Sequence, residues 1–170
     1  MRRIGRRSGR RRRQPEEHYI SAGMARTKPK VFLDASVLIA AVLSSSGGSF
    51  YILSQLKGDF EFQTNSFGFE EVISVLDRKF PGRGDLKDIL FLLLGTTPVR
   101  ILADPPYEAV TSLAAYINVE DRPILASALA NSSFLLTLDH DFLTDTVISF
   151  SQRNGVQVLT PRDFIERHRA

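Results

Sequence analysis

The chain contains no cysteine, which removes disulfides, thiolate metal sites and a cysteine nucleophile from consideration. Histidine is scarce. His18, His140 and His168 lie far apart, whereas a histidine-based zinc site needs its ligands grouped. Long apolar runs are missing too. The longest candidates, residues 37–43 and 89–94, fall far short of the ~20 residues that span a bilayer. The amino terminus carries charge with no apolar stretch behind it, unlike a secretory signal. A cytoplasmic location without membrane attachment is therefore the default expectation. No Gly-x-Gly-x-x-Gly follows the first strand-like run, which disfavours dinucleotide binding.

What is present is an ordinary globular composition, 43% hydrophobic and 24% charged over 170 residues, long enough for one domain with a proper core. The net charge of +3 is unevenly spread. Residues 1–30 hold 11 of the 22 Lys and Arg residues but 2 of the 19 acids, a net +9; residues 31–170 hold 11 and 17, a net −6. A block of like charge without apolar periodicity reads as a disordered basic tail over residues 1–29. It suits either a non-specific nucleic-acid arm or an extension outside the working protein, with Met24 as a natural start for the domain. An acidic domain, residues 30–168, is odd for a nucleic-acid binder unless some of its acids hold cations.

Along that domain strand-like and helix-like segments alternate. Strands are expected at Val31–Leu33, Phe60–Gln63, Val99–Leu102, Phe134–Leu138 and Val156–Leu159. Helices are expected at Ser36–Leu43, Phe50–Leu56, from an N-cap at Ser66 to Pro81, Leu86–Leu94, Tyr107–Tyr116, Ile124–Leu129 and Pro161–His168. This alternation predicts an α/β fold, a three-layer α/β/α sandwich around a mostly parallel central sheet.

Acids punctuate the pattern. Asp34 closes the first strand, and Asp139 and Asp141 follow the fourth. Glu71 and Asp121 sit near helix starts. In an open parallel sheet, ligands bind outside the carboxyl ends of the strands, which places Asp34 and Asp139 on one edge. A carboxylate beside buried apolar sequence is costly unless something pairs with it. Several together are tolerable around a hard divalent cation such as Mg²⁺ or Mn²⁺, which prefers oxygen ligands. Each acid alone also has a plainer reading: Asp121 as an N-cap, Asp139 and Asp141 as turn residues, Glu70 and Glu71 as first-turn charges. Glu70 and Glu71 point about 100° apart on a helix, so one at most serves a shared site.

The segments Val31-Phe32-Leu33-Asp34-Ala35-Ser36, Glu70-Glu71-Val72-Ile73-Ser74-Val75-Leu76, Asp121-Arg122-Pro123-Ile124-Leu125-Ala126 and Leu135-Leu136-Thr137-Leu138-Asp139-His140-Asp141-Phe142 together resemble the PIN-domain ribonucleases. The likeness runs in order through residues 30–165, departs at Ala35, where relatives usually carry a small hydroxyl residue, and is greatest to bacterial toxin subunits of toxin–antitoxin pairs. It implies a Mg²⁺- or Mn²⁺-dependent endoribonuclease, with an RNA substrate, a small antitoxin protein as partner and often a homodimeric assembly. It also implies that Asp34, Glu71, Asp121 and Asp139 are catalytic and hold the metal, with Asp141 a further ligand, and that Ser36 and Thr137 are hydrogen-bonding supports behind them. The alternative is a non-catalytic PIN-like module that binds RNA or protein. An aspartyl phosphatase ranks low, because that chemistry needs a second Asp two positions after the first, where this chain has Ser36.

Overall fold

A sheet of five strands forms the centre of the computed structural model, which describes residues 27–169. In chain order the elements are β1 (Lys30–Leu33), α1 (Ala35–Leu43), α2 (Gly48–Gln55), β2 (Glu61–Asn65), α3 (Ser66–Lys79), α4 (Asp85–Thr96), β3 (Val99–Leu102), α5 (Tyr107–Thr111), α6 (Arg122–Asn131), β4 (Phe134–Leu136), α7 (Asp145–Arg153), β5 (Gln157–Leu159) and α8 (Pro161–His168). The spatial order is β3-β2-β1-β4-β5, and every pairing is parallel. Among the described residues the sheet is thus wholly parallel. The basic tail expected over residues 1–29 lies, up to residue 26, outside the described residues.

Strand periodicity divides the core in two. Val31 and Leu33 of β1, with Leu136 and Leu159, face one layer, where they pack on α1 to α4 and on Phe164 of α8. Phe32, Leu135 and Val158 face the other, against α5, α6 and α7. Handedness explains the split. The chain steps outward from β1 to β2 to β3, then returns to the far side of β1 and steps the other way, so right-handed crossovers cover opposite faces. The reversal falls between β1 and β4, where an open sheet leaves a crevice beyond its carboxyl edge. No single helix among the described residues is long and apolar enough to cross a membrane; the apolar pair α1 and α2 is bent by 94° and packs into the core.

The departures from expectation have local causes. Helix α7 falls where no helix is expected: its Thr-Val-Ile run is β-branched, and three of its residues are Ser or Thr beside Phe150. Tertiary packing makes the helix. Val147 is buried, Phe150 stacks on Tyr116 at 3.9 Å, and the Thr144 side chain caps the Val147 N–H. The helix stops at Asn154-Gly155, with Gly155 at φ +81°, the left-handed conformation glycine takes without strain. Helix α5 ends at Thr111 instead of Tyr116. There the Thr111 and Ser112 hydroxyls donate back to Glu108 O and Ala109 O, competing with the helical pattern. Strand β2 begins and ends later than expected, and the cap of α3 is Asn65, not Ser66.

That cap is one of two buried amides that lock β2 onto α6. Gln63 donates to Asn131 O at 2.9 Å and to Ser132 Oγ at 2.6 Å, at the carboxyl end of α6. Asn65 donates to Pro123 O at 3.1 Å and Ser127 Oγ at 2.8 Å near its amino end, while its Oδ1 accepts the Gly68 N–H at 2.8 Å. The starts of α3 and α6 are thereby drawn together over the sheet edge. Gly68 permits the approach. A Cβ there would lie 2.9 Å from Thr64 Oγ1 and 3.0 Å from Ile124 Cδ1.

Gly68→Ala accordingly sets two effects against each other. Helix propensity favours alanine by about 1 kcal/mol, whereas overpacking of this kind costs about 1–3 kcal/mol. The opposing atoms belong to a fully buried threonine and a 1%-exposed isoleucine, which cannot swing aside, so packing wins. Denaturant unfolding should show a net loss of stability for Gly68→Ala; a variant more stable than the parent would remove the close approach as the reason for glycine.

Candidate metal centre

Strand β1 delivers Asp34 to the crevice. Its backbone N–H donates to Leu136 O at 3.0 Å, the last rung joining β1 to β4, and its side chain turns into the edge with 5% exposure. Carboxylate oxygen Oδ2 accepts the hydroxyl protons of Ser36, at 2.6 Å, and Thr137, at 2.8 Å. Each hydroxyl has one proton to give, so its oxygen is left to accept. Ser36 Oγ accepts the Leu138 N–H and Thr137 Oγ1 the Asp139 N–H, both at 3.0 Å. These bonds explain why β4 stops at Leu136 and not at Leu138: two backbone donors beyond it belong to site hydroxyls. Burial pushes the Asp34 carboxyl above the usual range, the two hydroxyls pull it back, and the charge of Asp139 raises it again.

Beyond Thr137 the chain turns outward and presents Asp139 and Asp141. The Asp141 N–H donates to Asp139 Oδ1 at 2.9 Å, an Asx turn that holds both side chains on the crevice. Asp121 arrives from the other side at the start of α6. It occupies the N-cap position, yet its side chain caps nothing. Carboxylate oxygens of Asp121, Asp139 and Asp141 all lie within 4.8 Å of one another. The Asp121 carboxyl is pushed up to about 6, first by burial and then by the charges of Asp139, Asp34 and Asp141, against the lowering effect of a hydrogen bond from Asn118.

Helix α3 supplies Glu71 from the rim. Its carboxyl is held above the ordinary range by partial burial and by the charges of Asp34, Asp121, Asp139 and Glu120. Glu70, about 100° around the helix, is exposed, as Glu71 itself is. The helix start is anchored by side chains: Asn65 Oδ1 takes the Gly68 N–H, and Asp104 Oδ1 takes the Phe67 N–H at 2.8 Å.

Asp121, Asp139 and Asp141 thus meet at one crevice, the charges of Asp34 and Glu71 are felt there, and Ser36 and Thr137 bond Asp34 from behind. Two residues were not anticipated. Asn118 bonds both Asp121 and Asp141, and Glu120 adds its charge near Glu71. The available signal was the Asn three positions before Asp121, a spacing that closes an Asx turn.

The donor set is oxygen throughout and negatively charged. Among the described residues the ion pairs are Arg83–Asp85, Lys87–Asp77 and Arg162–Glu166, none of them in the crevice. Arg122, at the start of α6, donates its Nε to Ile117 O. Among the described residues no ion pair reaches the cluster. Hard oxygen donors converging without a basic partner fit a divalent ion of the Mg²⁺ type, which takes a few carboxylates and keeps several waters.

The PIN domain family model matches residues 31–144, and the chain belongs to that family. No match was found among curated proteins. Similar solved structures include PAE2754 from Pyrobaculum aerophilum, 15% identical, covering 82% of this chain and 94% of that one with a TM-score of 0.56. VapBC2 from Rickettsia felis, solved bound to a DNA fragment from their promoter, is 16% identical and covers 77% and 98%, with a TM-score of 0.58. FitAcB from Neisseria gonorrhoeae is 19% identical and covers 78% and 98%, with a TM-score of 0.52. At these identities the likeness establishes the fold.

Charge crowding has a measurable sign. Asp34, Glu71 and Asp121 all have folded-state pKa values above their ordinary ones. The stability they carry is full below the ordinary carboxylate range and is lost as pH rises through about 6, the value for Asp121. In chelator, the thermal midpoint should therefore rise as pH falls from 7.5 to 5.5. Added Mg²⁺ or Mn²⁺ should raise it at pH 7.5, and Asp121→Asn should flatten the pH response. A midpoint that falls on this mild acidification, or ignores both ions, would contradict the crowding.

Proposed function

We propose that this PIN-domain protein is a Mg²⁺- or Mn²⁺-dependent endoribonuclease that hydrolyses RNA phosphodiester bonds, and that it is the toxin subunit of a toxin–antitoxin pair. The observation that carries the reading is the convergence of Asp121, Asp139 and Asp141 within 4.8 Å of one another, coupled by charge to Asp34 and Glu71, with no ion pair among the described residues to neutralise them. Asp34, Glu71, Asp121 and Asp139 are the catalytic set and, with Asp141, hold the ion directly or through water. When bound, such an ion polarises the phosphate, lowers the pKa of an attacking water and steadies the leaving oxygen.

The chain's own residues do the rest. Ser36 and Thr137 fix Asp34 in one rotamer and keep water from the buried side of its carboxylate. The Asx turn at Asp139 fixes the spacing to Asp141. In this reading Glu71 takes a proton from water entering the crevice, a role its raised pKa supports. The toxin assignment is supported by the similar VapBC2 and FitAcB structures. It brings with it a small antitoxin protein as partner, a homodimer as the assembly and the cytoplasm as the location.

Asp34→Asn preserves shape and hydrogen-bonding capacity while removing charge. With RNA and Mn²⁺ its turnover should fall by at least about 100-fold, while its thermal midpoint in chelator should rise by a few degrees, since about 1 kcal/mol moves a domain of this size ~2–4 °C. Cleavage that survives both chelation and Asp34→Asn would defeat the metal mechanism. Metal binding without cleavage of any RNA would favour the binding module.

Residues 1–29 we read as a tail that contributes salt-sensitive RNA affinity and nothing to the chemistry. A chain starting at Met24 should keep its turnover and thermal midpoint. It should show a shallower log–log salt dependence of RNA binding, by about 0.7 for each phosphate that the tail no longer neutralises. An unchanged slope would dismiss the arm.

A further inference from the structure

Asn118 is exposed and sits in the loop before α6, outside the set of acids, yet all its amide capacity is used within the crevice. Its Oδ1 accepts the N–H groups of Glu120 and Asp121, both at 3.1 Å. An oxygen must stand there, so the other atom of the amide is the NH₂ group. That Nδ2 donates one proton to Asp121 Oδ2 at 2.6 Å and the other to Asp141 Oδ2 at 2.8 Å. A single neutral group thus spans two carboxylates delivered by different elements, the start of α6 and the turn after β4.

The bridge matters most for Asp141. This residue is exposed, and among the described residues its backbone N–H, through the turn to Asp139, is its other hydrogen-bonded tie to the crevice. An exposed aspartate is free to swing into water, away from a neighbour of like charge. Two N–H donors from one rigid amide offset that repulsion without adding charge, and they set the distance between the two acceptor oxygens.

We propose that Asn118 is a positioning residue: its amide holds Asp121 and Asp141 at a ligand-to-ligand spacing before any ion arrives, so that the ion enters a preformed site. The proposal rests on the metal-dependent reading above and extends it to a neutral residue outside the acidic set. Groups that orient metal-binding carboxylates typically change affinity or activity by about 10–100-fold when removed.

Two substitutions separate bridging from turn formation. Asn118→Ser keeps a short side-chain oxygen able to accept the Glu120 and Asp121 N–H groups but cannot reach both carboxylates. Asn118→Ala loses both functions. Mn²⁺ affinity of the full chain is measured by calorimetry for the parent, both variants, Asp141→Asn and the double variant Asn118→Ser/Asp141→Asn. Thermal midpoints in chelator accompany each. The expected result is an affinity loss of about 10-fold or more in Asn118→Ser as well as in Asn118→Ala, with the Asn118→Ser midpoint near the parent's. The effect of Asn118→Ser should shrink markedly in the Asp141→Asn background, since one end of the bridge is already uncharged. In cleavage assays the Mn²⁺ concentration for half-maximal rate should rise while the rate at saturating Mn²⁺ largely recovers. Parent-like Mn²⁺ affinity in Asn118→Ser would overturn the proposal and reduce Asn118 to a turn residue. Equal Asn118→Ser effects with and without the Asp141 charge would overturn the bridge. Absence of Mn²⁺ binding by the parent would instead defeat the metal reading itself, and this inference with it.

Discussion

Burying a charge at the end of a hydrophobic strand forces the rest of this crevice into place. Asp34 is 5% exposed and has no basic partner among the described residues. A lone carboxylate in that setting would cost several kcal/mol or pick up a proton. The fold meets the demand with two hydroxyls on one carboxylate oxygen, and each hydroxyl then needs a donor of its own. The backbone beyond β4 supplies both donors. One ionisable group thereby dictates where β4 must end, where Leu138 and Asp139 lie, and which side of the turn faces the crevice.

The sheet order does the corresponding work at larger scale. Because the chain reverses direction between β1 and β4, their carboxyl ends stand side by side with helices departing to opposite faces. Asp34 and Asp139 are neighbours for that reason, although 105 positions separate them in the chain. The starts of α3 and α6 join them because Gln63 and Asn65 clamp β2 to α6, and because Gly68 lets the two helices approach. The clamp is built from neutral amides whose NH₂ groups each donate two hydrogen bonds to α6 and its end, so it positions charge without adding any.

Short continuous apolar runs and helical spacing made most elements legible, and an acid just beyond the first and fourth strands made Asp34 and Asp139 legible as candidate site residues. What escaped was decided by tertiary packing. Helix α7 has poor local propensity and exists through Val147 and the stacking of Phe150 on Tyr116. Helix α5 is shorter than its apolar spacing suggests because hydroxyl back-bonding at Thr111 and Ser112 leaves no periodic trace. The choice between Glu70 and Glu71 turned on helix rotation, which one residue of misregister would reverse. Asn118 was legible only as a turn residue, for a different reason. It is neutral and lies in a loop, and its importance depends on where Asp141 lands 23 residues later.

The crowding of like charges also has an evolutionary consequence. The carboxyls of Asp34, Glu71 and Asp121 are each held above their ordinary pKa, so a neutral residue at any of them relieves repulsion. On the metal-dependent reading proposed above, only selection for that function sustains the crowding. The buried amides that join β2 to α6 carry no charge and take no part in it. On that reading the acids are dispensable to the shape that presents them, and sturdier descendants without chemistry are the expected by-products.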